Sequence, residues 1–179
     1  MRTHTIKDGR PLYIEHLGRM DVKALCAITT TERELQYLVL DYERCLTGRF
    51  PACSRAFGHP VETYCTIIDL AGVSIFDIYH VKDYISGVSS IGQNRYPGMM
   101  DKFYIINAPW TFSFAWNIVK EFLNEASVSR IQILGSNYQK VLLQQIPSEN
   151  LPKEFGGECE CRGGCSMSDV GPWKTQGIP

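Results

Sequence analysis

Three cysteines in one glycine-rich segment are the residues whose type and spacing come nearest to metal or redox chemistry. Cys159, Cys161 and Cys165 each offer a soft thiolate ligand, but a structural zinc site needs four ligands. No histidine lies within fifty residues upstream of them, and a fourth thiolate could come only from a distant cysteine. The sequence therefore predicts reduced thiols, or one redox-formed disulfide, and no metal site.

The other titratable candidates are isolated. Asp69 ends a predicted strand, where a carboxylate either contacts a metal or a ribose or caps the following turn, and capping is the commoner use. His80 lies between two aspartates on one predicted helix face, an arrangement that is also typical of a solvated helix histidine. His4 and His16 accompany no motif. We expect a structural role for Asp69 and assign none to the two isolated histidines.

Short motifs typical of α/β enzymes are absent from the sequence. It contains no glycine-rich dinucleotide or phosphate loop, no Gly-x-Ser-x-Gly and no His-Glu-x-x-His. The sequence therefore predicts a protein that is not an enzyme.

One segment is unusually rich in aromatic and apolar side chains: Trp110, Phe112, Phe114, Trp116, Ile118, Val119, Phe122 and Leu123. The pattern predicts a helix over 111–123 with apolar side chains on both faces. Such a helix is either fully buried in a core, or covers an apolar pocket with one face and meets a bilayer with the other, its two tryptophans at the interface. Composition does not choose between these interpretations.

Strands and helices alternate along the chain. A capping box at Thr31–Glu34 predicts a helix start, followed by an apolar stripe through Leu46. Further helices are predicted over 75–91 and 139–146. Predicted strands cover 11–18, 64–70, 102–107 and 130–135, and the last three read as buried on both faces. This order predicts an α/β domain with a mostly parallel sheet.

Composition and charge favour one globular domain over residues 1–179. The chain has 44% hydrophobic and 21% charged residues and a formal charge of −1, so it lacks the electrostatic footprint of a nucleic-acid-binding protein. No apolar run is long enough to span a membrane, and the N-terminal residues do not form a signal peptide. We expect a soluble intracellular protein without a nucleic-acid partner.

Six segments, in order, resemble the CRAL-TRIO lipid-binding domain, most closely that of the fungal phosphatidylinositol/phosphatidylcholine transfer proteins. They are 58–63, 65–70, 93–97, 102–109, 133–136 and 149–157, and 168–173 adds a seventh. The resemblance covers about residues 7 to 174. It implies a mostly parallel mixed sheet that floors an apolar pocket closed by a mobile gate helix.

By this resemblance, residues 111–124, here called the gate segment, form the gate, with Phe112, Trp116, Val119 and Phe122 as its cavity-covering residues. Gly156 and Gly157 are implied hinge residues. Family members also carry a small helical module upstream, and the sequence begins at that module's downstream edge. We therefore expect the module, and the basic headgroup contacts that it supplies, to be absent.

The resemblance also implies headgroup contacts. Ser127 and Arg130 match family positions where a hydroxyl and a lysine hold phosphoinositol, and both keep that chemistry. Six further residues match positions around a second, choline lipid: Tyr13, Tyr42, Tyr64, Thr66, Tyr96 and Met99. Three departures weaken that second match: Tyr64 and Gly92 each replace a serine, and Gly98-Met99 replaces a Glu-Arg pair.

The implied function is phospholipid transfer. The protein would exchange phosphatidylinositol and a second lipid between membranes, present phosphatidylinositol to its kinases, and support phosphoinositide signalling and secretory trafficking. It would be cytoplasmic, with transient visits to Golgi or endosomal membranes, and would carry no cofactor besides its phospholipid cargo. The alternative is a protein that binds or senses a sterol or haem without transferring phospholipid, with Tyr64 as a candidate haem ligand.

Overall fold

Short runs rich in β-branched and aromatic residues form one parallel sheet. The computed structural model describes residues 4–74 and 81–174. Its strands are β1 (Leu12–His16), β2 (Tyr64–Asp69), β3 (Met100–Ile106) and β4 (Ile131–Ile133), in that spatial order. All pairings between these strands are parallel, and antiparallel pairing within the described residues is confined to an isolated bridge between Thr5 and Pro11. The predicted α/β class is confirmed.

The helices of the described residues are α1 (Val22–Ile28), α2 (Thr31–Arg44), α3 (Phe50–Phe57), α4 (Lys82–Asn94), α5 (Phe112–Val119), α6 (Glu125–Arg130) and α7 (Gln139–Gln145). A π-helical turn, Cys45–Arg49, joins α2 to α3. Residues 75–80 of the predicted helix 75–91, with His80, lie outside the described residues. Strand β4 is shorter than the predicted 130–135 because α6 continues through Arg130.

Helix α2 begins one residue earlier than its predicted capping box. Thr30, with extended backbone, is the N-cap, and its hydroxyl accepts a hydrogen bond from the Arg33 backbone N–H at 3.3 Å. Thr31 is already helical. Since Thr29, Thr30 and Thr31 are chemically identical, the sequence pattern cannot identify which hydroxyl caps the helix.

The two faces of the sheet bury different clusters, as the alternation of strand side chains requires. On one face, Ile14, Ile67 and Tyr104 are aligned across three strands. They pack against helix α7 and the following segment through Leu142 and Phe155. The opposite face packs against α5 through a second cluster of Ile68, Leu70, Ile105, Phe112 and Ala115. The predicted burial of β2 on both faces is confirmed for its last five residues.

No helix within residues 4–74 and 81–174 combines the length and apolarity needed to cross a bilayer.

Candidate functional site

A large cavity lies on the α5 face of the sheet. Its volume is about 580 Å³, within the range of about 300 to 1,000 Å³ typical of small-molecule sites. Ile68, Phe103 and Ile105 of the central strands line it, and helices α1, α2, α4, α5 and α6 supply its walls. The arrangement leaves apolar side chains facing an open volume, so the cavity suits a hydrophobic ligand.

The gate segment covers this cavity with one face and meets solvent with the other. It forms α5 and then a 3-10 turn, Lys120–Phe122. Phe112, Trp116 and Val119 line the cavity, whereas Phe114 is 61% exposed and neighbouring Trp110 is 83% exposed. The prediction of two apolar faces is confirmed, and burial of the whole helix in a core is excluded. Only Trp110 of its two predicted interfacial tryptophans is exposed, because Trp116 packs towards the cavity.

Gln93 of α4 is hydrogen-bonded to the end of the gate segment. Its side-chain amide donates to the Phe122 carbonyl at 2.8 Å, and its Oε1 accepts from the Asn124 backbone N–H at 2.6 Å. Phe122 itself is not among the cavity-lining residues. The sequence does not indicate a role for Gln93, since an isolated glutamine in a helix belongs to no motif.

Ser127 and Arg130 are brought together at the cavity wall by helix α6. Asn124 caps this helix by accepting the Ser127 backbone N–H at 2.8 Å, and residues three apart share a helix face. Both Ser127 and Arg130 line the cavity. One guanidinium nitrogen of Arg130 donates to the Met100 carbonyl at 2.6 Å, while the side chain is exposed. Since a guanidinium carries five N–H groups, it keeps donors for an anion.

Three tyrosines form a cluster at another part of the cavity. The Tyr64 hydroxyl donates to that of Tyr42 at 3.4 Å, and the Tyr42 and Tyr96 rings meet edge to face with centroids 4.9 Å apart. Tyr96 donates to Glu43 at 2.6 Å. Burial raises the pKa of both Tyr42 and Tyr64. All three tyrosines line the cavity as neutral phenols.

The remaining predicted second-lipid residues do not line the cavity. Met99 is 6% exposed and packs with Phe50 and Val61 in a core cluster that also contacts the three tyrosines. Thr66 is buried within β2. Tyr13 is half exposed, and its hydroxyl lies 3.5 Å from Glu15. Of the six residues that the resemblance implied, the structure therefore brings four together, and three of these line the cavity.

Glu15 is a cavity residue that the sequence analysis missed. It follows Tyr13 by two residues in β1, so both belong to the same strand face. Glu15 lines the cavity floor, and burial raises the pKa of its carboxyl group. Alternate residues of a strand share one face, so the sequence would have identified Glu15 if it had shown which face of β1 lines the cavity.

Gly156 and Gly157 lie away from the gate segment. Gly156 has a φ of 88°, as a left-handed turn requires, and a Cβ there would approach Gln139 at 2.9 Å. A Cβ on Gly157 would lie 2.1 Å from the Leu151 carbonyl oxygen. Leu151 belongs to the core on the face of the sheet opposite the cavity. Both glycines are thus required by local packing on that face.

Asp69 has the capping role predicted for it. It accepts the Ala71 backbone N–H at 3.0 Å, the Asn107 side-chain amide at 2.8 Å and His16 Nδ1 at 3.0 Å. Burial opposes the charged form, but these hydrogen bonds together lower the pKa of Asp69. Its partner His16 contacts Phe155 on the sheet face opposite the cavity, so this network is structural.

The fold and the site together define a class: an α/β domain that encloses an apolar cavity between a parallel sheet and a covering helix. Residues 4–157 match the CRAL/TRIO domain family, and the chain belongs to that family. The resemblance noted from the sequence is therefore confirmed.

Individual relatives give the same result. Over 169 residues the chain is 57% identical to the Sec14 cytosolic factor of Schizosaccharomyces pombe, covering 94% of this chain and 59% of that protein. It is 41% identical over 175 residues to the Phosphatidylinositol/phosphatidylcholine transfer protein SFH4 of Arabidopsis thaliana, covering 96% of this chain and 29% of that protein. The crystal structure of Sfh5 matches with a TM-score of 0.61 at 18% identity, covering 76% of this chain and 46% of Sfh5, which supports the fold. The chain spans less than two thirds of the length of each of these relatives.

Proposed function

We propose that this protein binds one phospholipid in the cavity and exchanges it at membrane surfaces, with phosphatidylinositol as one cargo. The observation that carries the proposal is a hydroxyl and a guanidinium, Ser127 and Arg130, on the wall of a large apolar cavity. The similarity to a phosphatidylinositol/phosphatidylcholine transfer protein supports the same function.

The energetics of lipid transfer explain why both parts of the site are needed. At ~0.8 kcal/mol per buried CH₂, the two acyl chains of a phospholipid carry more than ~20 kcal/mol of transfer free energy. A cavity must therefore replace the bilayer almost completely. Since the acyl contributions then nearly cancel, headgroup contacts of about 1 to 3 kcal/mol each decide which lipid is held. Arg130 supplies a charge-assisted contact to phosphate, and Ser127 supplies a hydroxyl.

The second cargo is expected at the tyrosine cluster. Tyr64 places a phenol against Tyr42. The phenol takes up space that a choline headgroup would need, and its hydroxyl does not lie where the serine hydroxyl of the family would. To ligate a haem iron, Tyr64 would have to give up its proton and its hydrogen bond to the Tyr42 hydroxyl. A second phospholipid, with phosphatidylcholine bound less well than phosphatidylinositol, is therefore favoured over haem.

Membrane contact is expected through the exposed apolar face of the gate segment, where Trp110 and Phe114 are available to the headgroup region. In this proposal the protein acts in the cytoplasm and visits Golgi or endosomal membranes transiently. It has no catalytic activity and no cofactor besides its lipid cargo. By delivering phosphatidylinositol it would supply the lipid kinases that phosphorylate this headgroup, and so support secretory trafficking.

The direct test is native mass spectrometry, with lipid extraction, on protein purified from a eukaryotic host. Bound phosphatidylinositol with little phosphatidylcholine would support the proposal. An empty cavity, a bound sterol, or a Soret band from haem would overturn it and favour a ligand-sequestering or sensing protein. A vesicle-to-vesicle transfer assay with labelled phosphatidylinositol then distinguishes exchange from retention.

A further inference from the structure

Four potential metal ligands from the two ends of the described chain meet in one place. His4, Cys159, Cys161 and Cys165 each offer one ligand atom, and all four atoms lie within 4.8 Å of one another. None of these residues lines the lipid cavity, and the proposed lipid exchange does not use them. The histidine lies 155 positions upstream of Cys159, outside the fifty residues in which the sequence offers no histidine ligand.

The distances fit a tetrahedral ion. With Zn–S near 2.3 Å and Zn–N near 2.0 Å, tetrahedral geometry separates two sulfurs by about 3.8 Å and a sulfur from a nitrogen by about 3.6 Å. Cys159 Sγ and Cys161 Sγ are 3.7 Å apart, and His4 Nε2 lies 3.6 Å from the first and 3.4 Å from the second. These three distances suit one tetrahedral ion, and Cys165 Sγ lies within 4.8 Å of the other ligand atoms.

The ligands are held in place by main-chain hydrogen bonds. His4 donates its backbone N–H to the Val170 carbonyl at 3.1 Å and accepts from the Leu12 N–H at 2.9 Å. In the cysteine segment, Gly164 has a φ of 98° and donates to the Cys161 carbonyl at 3.0 Å. This turn leads the chain back, so that Cys165 Sγ lies 3.5 Å from the Cys159 carbonyl oxygen.

The surroundings of the ligands also suit a bound metal ion. His4 is 4% exposed and Cys159 is 1% exposed. The His4 ring is hydrogen-bonded to the Ser168 backbone. Because Nε2 faces the thiols, Nδ1 is left for that bond, the usual outer support of a metal-bound histidine.

We propose that His4, Cys159, Cys161 and Cys165 form a structural zinc site. Four protein ligands leave no open position for a substrate or a reactive water, so the site is closed and non-catalytic. The ion would join the segment before β1 to the segment after α7. Zinc is favoured over Ca²⁺ or Mg²⁺, which prefer oxygen ligands.

The test measures metal bound to the full chain, expressed with added zinc and purified under reducing conditions. Elemental analysis is expected to find about one zinc per chain in the wild type and close to none in Cys161→Ser, whose ligand is the least buried of the three cysteines. Cys26→Ser is the matched control, because Cys26 is exposed and lies outside the cluster. It is expected to retain about one zinc.

A second measurement keeps the proposal falsifiable if Cys161→Ser does not fold. Cobalt(II) added to the metal-free wild-type chain should produce the visible bands of a tetrahedral thiolate complex, at one equivalent, and zinc should abolish them. The proposal is overturned if the reduced wild type contains no zinc and gives no such cobalt spectrum. A stable disulfide under these conditions, or equimolar iron and sulfide with visible absorption, would also overturn it.

Discussion

The lipid cavity and the His4/cysteine cluster are two ligand sites built on opposite principles. The cavity is a volume of about 580 Å³ lined mostly by apolar side chains, with polar groups such as Arg130 on its wall. The cluster is a compact group of soft ligands that form directional bonds. One of them, Cys159, donates its backbone N–H to Leu151, a core residue on the sheet face opposite the cavity. Non-directional contacts allow a cargo to be exchanged, whereas four directional bonds hold an ion permanently.

The largest expected effect follows from removing the ion. A zinc chelator added to the wild type should lower the unfolding free energy by at least about 4 kcal/mol and Tm by about 10 °C, because loss of a structural metal belongs to the most destabilising changes. Calorimetry measures the shift. Cys26→Ser should respond to the chelator as the wild type does, while Cys161→Ser should show no further shift. Equal Tm values with and without chelator would contradict the prediction.

The next effect concerns the headgroup. Arg130→Ala should reduce phosphatidylinositol transfer by about 10- to 100-fold, since it removes a charge-assisted contact of about 1.5 to 3 kcal/mol. Arg130→Lys should retain most activity, because a lysine occupies this position in the family that the sequence resembles. Arg33→Ala is the charge-matched control, since Arg33 is exposed on α2 and outside the cavity lining. Unchanged transfer by Arg130→Ala would contradict the headgroup assignment.

A smaller effect is expected at the end of the gate segment. Gln93→Leu removes the two hydrogen bonds to Phe122 and Asn124, so this segment should exchange amide hydrogens faster and release lipid about tenfold faster. The control is Asn94→Ala, whose side-chain hydrogen bond stays within α4. If both variants release lipid at the wild-type rate, Gln93 does not hold the gate closed.

Selectivity between the two lipids should change less. The double variant Tyr64→Ser and Gly92→Ser restores the two family serines, and a Cβ at position 92 would lie 3.7 Å from the Tyr42 hydroxyl, an ordinary contact. The ratio of bound phosphatidylcholine to phosphatidylinositol should rise about fivefold, as one hydrogen bond of about 1 kcal/mol allows. Lipid mass spectrometry gives the ratio. Tyr37→Ser, at an exposed residue of the same cluster-bearing helix α2, should leave it unchanged.

The smallest effect is at the membrane surface. Trp110→Ser should leave Tm unchanged, because Trp110 is 83% exposed, and should weaken vesicle binding by a few-fold, on the order of 1 kcal/mol of interfacial burial. Met167→Ser, at another residue exposed by 84%, should bind vesicles as the wild type does. Equal loss in both variants would show that the surface near the gate segment has no special role.

Much of this fold could be predicted from the chain itself. Continuous apolar runs around Ile67 and Ile105 predict strands buried on both faces, and their alternation with helices predicts a parallel sheet. The aromatic spacing of the gate segment predicts its two apolar faces. Helices α1, α3 and α6 were missed, since none has a long apolar stripe, and α6 depends on an asparagine cap that the sequence pattern does not distinguish from a loop.

Local sequence determines these patterns because helix and strand periods repeat within a few residues. Tertiary structure alone decided which polar groups meet. It placed Arg130 beside the cavity, and packed Met99 against the tyrosine cluster but outside the cavity lining. It also brought the His4 ring to within 3.4 Å of the Cys161 sulfur. These residues are 157 positions apart, and no sequence motif predicts a contact at that separation. The physical reason is that such contacts follow from the order of the strands and the packing of the segments around them, which residue spacing does not contain.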